Sequence, residues 1–400
     1  MSRNFPNWID AYFNYAQDGY VPDNLHFWSG LSVVAGALER KVFLPWDDKF
    51  TLYPNLYLLL VAQPGMGKST ALNLAKRMLD DIPDGKVMFL PSQNTEAKFI
   101  ELLTVASPFE YKGIVRYQSA GYLSMSEASN SLKNHYGDLI ACLTDFYDCH
   151  DKWEKATMAS GKKTVVNSCI NMIAGATFDY LGKLVTKDNI MGGFASRLMY
   201  VTQSEALERK AKFQGGTNKV YDQEYRRKLL EDLGTIHRMV GPFRADAEFA
   251  KVWEAWFETS DKARQELKSE VLQSILARKN TNTLKLAMVF SAAESSDRIL
   301  RCSHWERALG LTDQVEATIQ ETFEQGKAQN MDTPDGMKAA IFREVRKGDL
   351  TIRELEKRLM LSGAKGGEIE MSLRKYQTLG ILGTEPNGNL KLLVNSQDYF

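Results

Sequence analysis

The pattern of hydrophobic and polar positions divides the 400-residue chain into four regions. Residues 1–50 have a helical pattern that ends in a short apolar strand, KVFLP. Residues 51–205 alternate β runs with helical segments, which predicts a parallel sheet flanked by helices. Residues 206–330 are helical almost throughout, with long charged amphipathic stretches. Residues 336–400 have a pattern of their own, and the polar segment 329–336, which contains Pro and Gly, is the predicted linker.

Composition narrows the class of protein. A hydrophobic fraction of 44% and a charged fraction of 25% are typical of a folded globular chain and exclude a disordered or fibrous one. The 50 Lys and Arg residues balance the 50 Asp and Glu residues, so an anionic partner must be bound by a local basic patch. No apolar run reaches about 18 residues and the first residues lack a signal-peptide pattern, so we expect a cytoplasmic protein without membrane contact. The four scattered cysteines lack CxxC spacing and predict neither a disulfide nor a metal site.

The strongest motif lies in the segment NLYLLLVAQPGMGKSTALNLAKRML, residues 55–79. A predicted buried strand, Leu56 to Val61, leads into a loop and then into an amphipathic helix. The loop matches GxxxxGK[ST] at every fixed position except the first, where Ala62 replaces Gly. The match predicts that the loop binds the phosphates of ATP together with Mg²⁺.

Each fixed position of this loop has a physical role. Gly65 and Gly67 let the backbone direct its N–H groups at the β-phosphate, and the start of the next helix adds positive potential. The positively charged ammonium group of Lys68 contacts the β- and γ-phosphates, and the Ser69 hydroxyl is a Mg²⁺ ligand. The predicted nucleotide-binding residues are Gln63, Pro64, Gly65, Met66, Gly67, Lys68, Ser69 and Thr70.

The segment GYLSMSEAS supplies the candidate acid. A short strand is predicted from Leu123 to Met125, and Glu127 at its carboxyl end is the predicted catalytic base that orients the attacking water. An Asp that holds the Mg²⁺ water shell usually precedes this base. Here the position is Ser126, which can bind a metal-bound water but carries no charge, so the predicted Mg²⁺ set is Ser69, Ser126 and Glu127. The alternative for Glu127 is a carboxylate that only begins a helix.

Two further polar positions follow predicted strands or turns. The strand CINMIAGATF ends near Thr177, whose hydroxyl is placed to contact the γ-phosphate or the attacking water. In GGFASRLMYV, Arg197 follows a Gly-Gly pair and is placed to reach a phosphate bound by a neighbouring subunit. The alternative is that Arg197 is a surface arginine.

The order of these motifs resembles that of hexameric AAA+ helicases. The strand that ends at Thr177 resembles the sensor-1 strand of minichromosome-maintenance helicases, with Thr177 at the Asn position. The segment ASRL around Arg197 is similar to their arginine finger. Arg278 and Lys285, in ARKNTNTLKLAMVFSAAE, resemble their sensor-2 helix.

Residues 5 to about 325 resemble more closely a family of phage, plasmid and mobile-element ATPases that often accompany primases or are fused to them. The matching stretches are PNLYLLLVAQPGMGKST, SEAS, and FYDCHDKWEKATMASGKKT followed by the GAT strand. The resemblance implies a replicative helicase-like ATPase that forms a ring, expected to be a hexamer, with ATP between subunits. It implies that Arg197 acts in trans and that Arg278 completes the site from the helical lid region. The chain has no primase signature, so a primase would be a separate protein.

Two segments are candidates for holding DNA. WEKATMASGKKTVVN, residues 153–167, predicts a β-hairpin with Lys162 and Lys163 near its tip. In related ring helicases such a hairpin lines the central channel, which implies that these lysines contact the phosphates of single-stranded DNA. The alternative is a pair of solvated lysines on a turn.

The second candidate is a predicted winged helix-turn-helix at residues 336–395. Three helices are predicted there, the second capped by Thr351, followed by two wing strands around an Asn-Gly turn. The segment holds 11 Lys and Arg residues against 7 Asp and Glu residues, and Arg374 and Lys375 lie on the predicted recognition helix. The alternative is a protein-docking module, which the acidic start of this helix favours.

The predicted fold is therefore α/β: a phosphate-loop, AAA+-like core with a helical N-terminal extension, a helical lid region and a C-terminal winged helix. The predicted function is ATP-driven translocation on DNA and its unwinding during replication of a phage or mobile element. One alternative is an ATP-dependent DNA-binding initiator or helicase loader without processive unwinding. Another is a nucleotide-switched assembly scaffold that needs no DNA.

Overall fold

The structure is a computed structural model that describes residues 3–17, 19–46, 49–83, 85–93, 95–132, 136–157, 161–184, 193–204, 223–265, 270–328 and 334–393. Its helices are α1 (Trp8–Ala16), α2 (Asp23–Leu38), α3 (Lys68–Asp80), α4 (Glu96–Leu103), α5 (Ala128–Leu132), α6 (Tyr136–Tyr147), α7 (Phe178–Leu184), α8 (Phe194–Arg197), α9 (Gln223–His237), α10 (Ala247–Gln265), α11 (Glu270–Leu276), α12 (Lys279–Glu294), α13 (Cys302–Ala328), α14 (Pro334–Arg346), α15 (Ile352–Leu361) and α16 (Gly366–Thr378). Its strands are β1 (Val42–Pro45), β2 (Thr51–Leu52), β3 (Tyr57–Ala62), β4 (Phe89–Leu90), β5 (Ser107–Tyr111), β6 (Ile114–Met125), β7 (Lys152–Thr157), β8 (Gly161–Val166), β9 (Ser168–Ala176), β10 (Met199–Gln203), β11 (Gly241–Pro242), β12 (Arg244–Ala245), β13 (Ile299–Leu300), β14 (Leu382–Thr384) and β15 (Leu390–Leu392).

A parallel sheet of five strands, in the order β10-β3-β9-β6-β4, forms the centre of the core. Every residue of β3 and of β9 is buried, as is usual for parallel strands covered on both faces. The register pairs Val61 with Ala176 and Met125 with Ala174, so β3, β6 and β9 end at the same edge. The predicted α/β core with a parallel sheet is confirmed.

Helices bury both faces of this sheet, and alternate side chains of β3 point to opposite sides. Leu58 and Leu60 join a hydrophobic cluster with residues of α1, α2, α3, α9 and α12. Tyr57, Leu59 and Val61 join a second cluster with residues of α4, α6, α7 and α8. The N-terminal helices are thus part of the core packing, and the predicted helix from Asp23 and strand KVFLP are both present as α2 and β1.

The strand before Glu127 is much longer than the three residues predicted. β6 has twelve residues, and its first four are exposed. Their segment, Ile114 to Tyr117, pairs with β5 in a hairpin. The sequence did not reveal this extension because neither face of its start is buried, so it lacks the alternation that marks a half-buried strand.

The C-terminal part has a third hydrophobic cluster, formed by residues of α14, α15 and α16 and of the β14–β15 hairpin. The predicted three helices and two strands are all present. Thr351 and Glu354 form a reciprocal capping box at the start of α15, and Gly388 in the hairpin turn has a φ of 87°. The predicted linker ends earlier than expected, because Pro334 begins α14, a position that suits proline since its missing N–H has no partner in a helix. Residues 329–333 lie outside the described part of the chain.

In the described ranges, no helix is at once long and apolar enough to cross a membrane. The four cysteines are free thiols, three of them buried. The described residues also contain no group of three or more His, Cys, Asp or Glu side chains arranged to hold a metal ion.

Candidate functional site

The predicted strand, loop and helix at residues 56–79 are present, and the two glycines shape the loop. Gly65 and Gly67 have φ values of 80° and 79°, a left-handed backbone that favours glycine. The turn that they make ends at Lys68, the first residue of α3. Met66 is buried, whereas Ser69 and Thr70 are exposed in the first turn of the helix. The loop therefore presents a helix start and two hydroxyl groups to solvent at the edge of the sheet.

Lys68 lies inside the loop and not on the surface. Only 7% of the residue is exposed, and its Nζ donates hydrogen bonds to the carbonyl oxygens of Ala62 (2.7 Å) and Gln63 (3.1 Å). Burial lowers the pKa of this ammonium, and the charge of Glu127 partly opposes the shift. A buried cation whose hydrogen bonds go to neutral carbonyls is suited to an incoming anion.

The N-terminal extension contacts this loop directly, a feature that the sequence did not predict. A Cβ at Gly67 would lie 2.6 Å from the Cγ2 atom of Val21, in the segment between α1 and α2. Asn24, in the first turn of α2, donates a 3.4 Å hydrogen bond to the carbonyl of Thr202 near the end of β10. The segment before α2 therefore braces the loop from one side.

Glu127 directly follows Ser126 and the end of β6, at the same edge of the sheet as the loop. Its carboxylate accepts a 3.2 Å hydrogen bond from the hydroxyl of Ser129 and is half-buried. Glu127 also directly precedes α5, so the alternative of a carboxylate at a helix start fits its position as well. Ser126 is exposed.

Gly175 makes the approach between the acidic segment and the loop possible. A Cβ at this position on β9 would lie 2.5 Å from the carbonyl oxygen of Ser126 and 3.6 Å from the Cβ of Lys68. Because Gly175 has no side chain, β9, the segment at Ser126 and the start of α3 at Lys68 can lie close together. The signal was present in the sequence, since a glycine inside an apolar strand often marks a close approach of another backbone.

Thr177 directly follows β9, so the predicted strand end is confirmed. The strand order places it between the ends of β3 and β6, which the sequence did not predict. Its hydroxyl accepts a hydrogen bond of 3.3 Å from the backbone N–H of Tyr180 at the start of α7. The side chain therefore caps a helix at the edge where the loop and Glu127 lie.

Arg197 lies at the opposite edge of the sheet from the loop. It ends α8, and Met199 two residues later pairs with Leu58 near the start of β3. At roughly 3.3 Å per residue, the four residues from Leu58 to Ala62 span about 13 Å. An arginine at this place cannot contact the Gly65–Gly67 loop of its own chain.

The partner of Arg197 is a carboxylate that the sequence did not indicate. Asp148, just after α6, accepts a 2.5 Å hydrogen bond from Nη2 of Arg197, whose Nη1 donates to the carbonyl of Gly193 at 2.9 Å. Asp148 also lies 3.5 Å from Nη1 of Arg278. The two predicted arginines are therefore side by side, and Arg278 is not next to the Gly65–Gly67 loop of its own chain.

Tyr147 is the platform on which these cations meet. Its ring centroid is 5.7 Å from the guanidinium of Arg197, 5.8 Å from that of Arg278 and 3.8 Å from Nζ of Lys285. Lys285 is 3% exposed and donates to Oδ1 of Asn55 at 2.7 Å. Among the described residues no carboxylate lies within ion-pair distance of Lys285. Tyr147, Asp148, Arg278 and Lys285 line a pocket of about 520 Å³.

The predicted hairpin with Lys162 and Lys163 is present as β7 and β8, and its tip, residues 158–160, lies outside the described part of the chain. Lys162 forms a 3.0 Å ion pair with Glu154 on the facing strand. Glu154 also pairs with Lys152, and the two ammonium groups lower its pKa to about 2. Lys163 faces Lys155 across the hairpin, so positive charge exceeds negative charge there.

Arg374 and Lys375 are exposed on α16, the helix that corresponds to the recognition helix predicted from the sequence. Arg374 forms a 2.6 Å ion pair with Glu370 one turn earlier on the same helix. Lys375 lies 5.9 Å above the ring of Tyr376. One of the two cations is therefore partly neutralised within its own helix.

The groups at the loop edge fit a magnesium-bound nucleoside triphosphate. Backbone N–H groups at a glycine turn, a buried ammonium and a helix start suit phosphate oxygens. The exposed Ser69 hydroxyl and the Glu127 carboxylate, at the same edge of the sheet, are oxygen groups that suit a hard cation. Neither a family model nor a curated protein matches the chain.

Proposed function

We propose that the chain is an ATP-dependent DNA helicase or translocase that acts as a ring, in which each ATP lies between two subunits. One observation carries the proposal: the phosphate loop and the Arg197–Arg278 pair lie at opposite edges of one sheet. A protein that carries the two halves of an ATP site on opposite sides completes the site only by placing one copy beside the next. Repetition of that head-to-tail contact gives a ring when the rotation between neighbouring copies closes.

The strand order supports an AAA+-like core. The loop strand β3 is separated from the acidic strand β6 by β9, whose end carries Thr177. This strand order places the loop, Thr177 and Glu127 side by side along one edge of the sheet, with Thr177 in the middle. In the proposal, α9 to α13 are the lid region and the three helices and hairpin of the C-terminal part are a winged helix.

At the loop edge, the chain's own residues bind the nucleotide and position the attacking water. Lys68 and the backbone around Gly65 and Gly67 hold the phosphates, with Ser69 and Thr70 at the start of α3. Glu127 accepts a proton from the water that attacks the γ-phosphate. A Mg²⁺ ion held by Ser69 and, through water, by Ser126 and Glu127 would neutralise charge on the phosphates.

Arg197 and Arg278 act on the ATP of the neighbouring subunit. Their positive charges would stabilise the negative charge that develops on the transferred phosphoryl group, a contribution worth roughly 10³- to 10⁵-fold in related phosphoryl-transfer sites. In this assignment Arg278 also acts in trans, and completes the site of the neighbouring subunit from the lid region. The reason is its ion pair with Asp148, which Arg197 shares.

DNA contact is assigned to the β7–β8 hairpin and to α16. Lys162 and Lys163 would follow the phosphates of a single strand without reading its sequence. Arg374 and Lys375 would contact duplex DNA. A primase would be a separate partner.

One observation favours a second candidate, an initiator or helicase loader that binds DNA without processive unwinding. Ser126 occupies the position where a second carboxylate usually lies, and it is exposed and uncharged. Weaker retention of Mg²⁺ would slow hydrolysis. A slow ATPase suits a protein that remodels one complex at a time.

The proposal is tested by ATP hydrolysis with and without single-stranded DNA. We compare the wild type with Glu127→Gln and with the double variant Lys162→Ala/Lys163→Ala. Strong stimulation by DNA in the wild type, loss of hydrolysis in Glu127→Gln and loss of stimulation in the double variant support a translocating ring. Slow hydrolysis with stimulation by duplex DNA supports the loader, and hydrolysis indifferent to DNA and to the lysines supports the assembly scaffold.

A further inference from the structure

Asp148 stands at a place where a carboxylate is unfavourable unless cations surround it. It directly follows Tyr147, the last residue of α6, and its N–H still bonds to the carbonyl of Asp145 at 3.2 Å. The negative end of the helix dipole disfavours an acid there. The left-handed backbone of the next residue, Cys149 (φ 53°), ends the helix immediately behind it.

Arg197 and Arg278 stabilise the Asp148 carboxylate at this unfavourable position, and the carboxylate in turn orients the two arginines. The side chain of Arg197 is only 11% exposed, whereas those of Arg278 and Asp148 are 31% and 37% exposed, so the cluster runs from the interior of the protein to its surface. One carboxylate between two guanidinium groups cancels their mutual repulsion and fixes their separation. The ring of Tyr147 supports both groups from below at nearly equal distances, 5.7 Å and 5.8 Å.

We propose that Asp148 is a positioning residue that holds Arg197 and Arg278 side by side for the phosphate of the neighbouring subunit. The inference rests on the proposed function, and it assigns a role to a residue that does not itself touch the nucleotide. The geometry determines the expected effect. Asp148 acts on how well the guanidinium groups are aimed when charge develops, so its loss lowers kcat and leaves the KM for ATP nearly unchanged.

The test is steady-state ATP hydrolysis by the full chain carrying Asp148→Asn. Asn keeps the size of the side chain but cannot neutralise two cations. We expect kcat to fall by roughly tenfold or more, with KM within about twofold of the wild type. The matched control is Asp138→Asn, an exposed acid in the first turn of the same helix, which we expect to retain wild-type kcat.

A double-mutant cycle separates positioning from a purely structural role. Asp148→Asn is introduced into the Arg197→Ala/Arg278→Ala background, where nothing is left to position. We expect little further loss of kcat there, because the two changes remove the same interaction. An equal fold loss in both backgrounds overturns the proposal. So does a rise of kcat in the single variant, which would mean that Asp148 competes with the phosphate for the arginines.

The conservative variant Asp148→Glu keeps the proposal testable if the Asn variant fails to fold, as judged by its thermal unfolding. Glu retains the charge but moves it by one methylene, so its kcat should lie between those of the wild type and Asp148→Asn. If Asp148→Asn is unfolded, the expectation is a kcat for Asp148→Glu below that of the wild type. Suppose that every folded Asp148 variant has wild-type kcat, while Lys68→Ala is inactive and Arg197→Ala is slow. That result overturns the positioning role of Asp148 and leaves the proposed function standing. Wild-type hydrolysis by Lys68→Ala instead overturns the proposed function.

Discussion

Gly175 of β9 lies against the backbone of Ser126, so that a Cβ at residue 175 would stand 2.5 Å from the Ser126 carbonyl oxygen. A separation below 3.0 Å from a backbone atom cannot be relieved by turning a flexible side chain. The same Cβ would lie 3.6 Å from the Cβ of Lys68. The absence of a side chain at this one strand position therefore sets the distance between the start of α3, at Lys68, and the segment that carries Glu127.

We predict that Gly175→Ala separates nucleotide binding from hydrolysis. The added methyl group would displace Ser126 and with it Glu127, whereas the loop glycines and Lys68 keep their own supports. A shift of about 1 Å in a catalytic base can lower the rate by roughly 10²-fold. We expect kcat for ATP to fall by at least about tenfold while the dissociation constant of ATP, measured by calorimetry, changes little.

Gly121→Ala on β6 is the matched control. Its Cβ would meet the Cδ1 and Cγ atoms of Leu90 at 2.8 Å and 3.0 Å, so the strain falls on a side chain and not on the backbone of Ser126. Hydrolysis by this variant should stay near that of the wild type. Equal losses of kcat in the two variants would show that the effect is general damage to the sheet.

A buried histidine predicts how stability depends on pH. His237, at the end of α9, lies with Nδ1 2.9 Å from the carbonyl of Ala37, and Nζ of Lys41 is 2.6 Å from the His237 carbonyl. Lys41 also forms a buried 2.9 Å ion pair with Glu39. Burial and then the charge of Lys41 lower the pKa of His237 below its usual value, although the charge of Glu39 opposes the shift.

Because the folded pKa is lowered, the unfolded chain takes up the proton first as the pH falls. The neutral His237 therefore contributes fully to stability above about pH 6.5, and the contribution is lost progressively below that value. We expect the thermal midpoint to drop between pH 7.5 and pH 5.5, and to drop less in His237→Asn, which keeps a donor near the Nδ1 position. Equal drops in both proteins would contradict the assignment.

The hairpin lysines should appear in the salt dependence of DNA binding. Each lysine that touches a phosphate of a single strand contributes about 0.7 to the slope of log affinity against log salt. Lys162→Ala and Lys163→Ala should each lower the slope by about this amount in fluorescence anisotropy with an oligonucleotide of mixed sequence. Lys152→Ala, at the far end of the same hairpin, is the control and should leave the slope unchanged. An unchanged slope in all three variants would remove the hairpin from the DNA path.

Local patterns explain why the sequence predicted the loop and most elements. A buried strand, a glycine turn and an amphipathic helix within 25 consecutive residues need no distant partner, and β3, the loop and α3 appear as predicted. The same holds for the capping box at Thr351 and for the turn at Gly388. Glu127 and Thr177 follow strands, as the sequence predicted, and the parallel strands β6 and β9 bring them to one edge of the sheet.

The arrangement of the arginines could not be predicted in this way. Asp148 and Arg278 are 130 residues apart, and Asp148 and Arg197 are 49 apart, so only the folded chain brings them together. The contact of Val21 with Gly67 depends likewise on how the N-terminal helices pack. Gly175 is the exception, because a glycine within a buried apolar strand was a visible signal.

The most direct test of a shared ATP site is a mixture of two inactive variants. Lys68→Ala subunits lack a working phosphate loop but present Arg197, and Arg197→Ala subunits have the opposite defect. In mixed rings one interface combines the intact loop of one subunit with the intact arginine of the next. We predict that mixing restores hydrolysis, with a maximum near equal proportions, although each variant alone is nearly inactive. No recovery at any ratio, in mixtures shown to assemble together, would contradict the shared site.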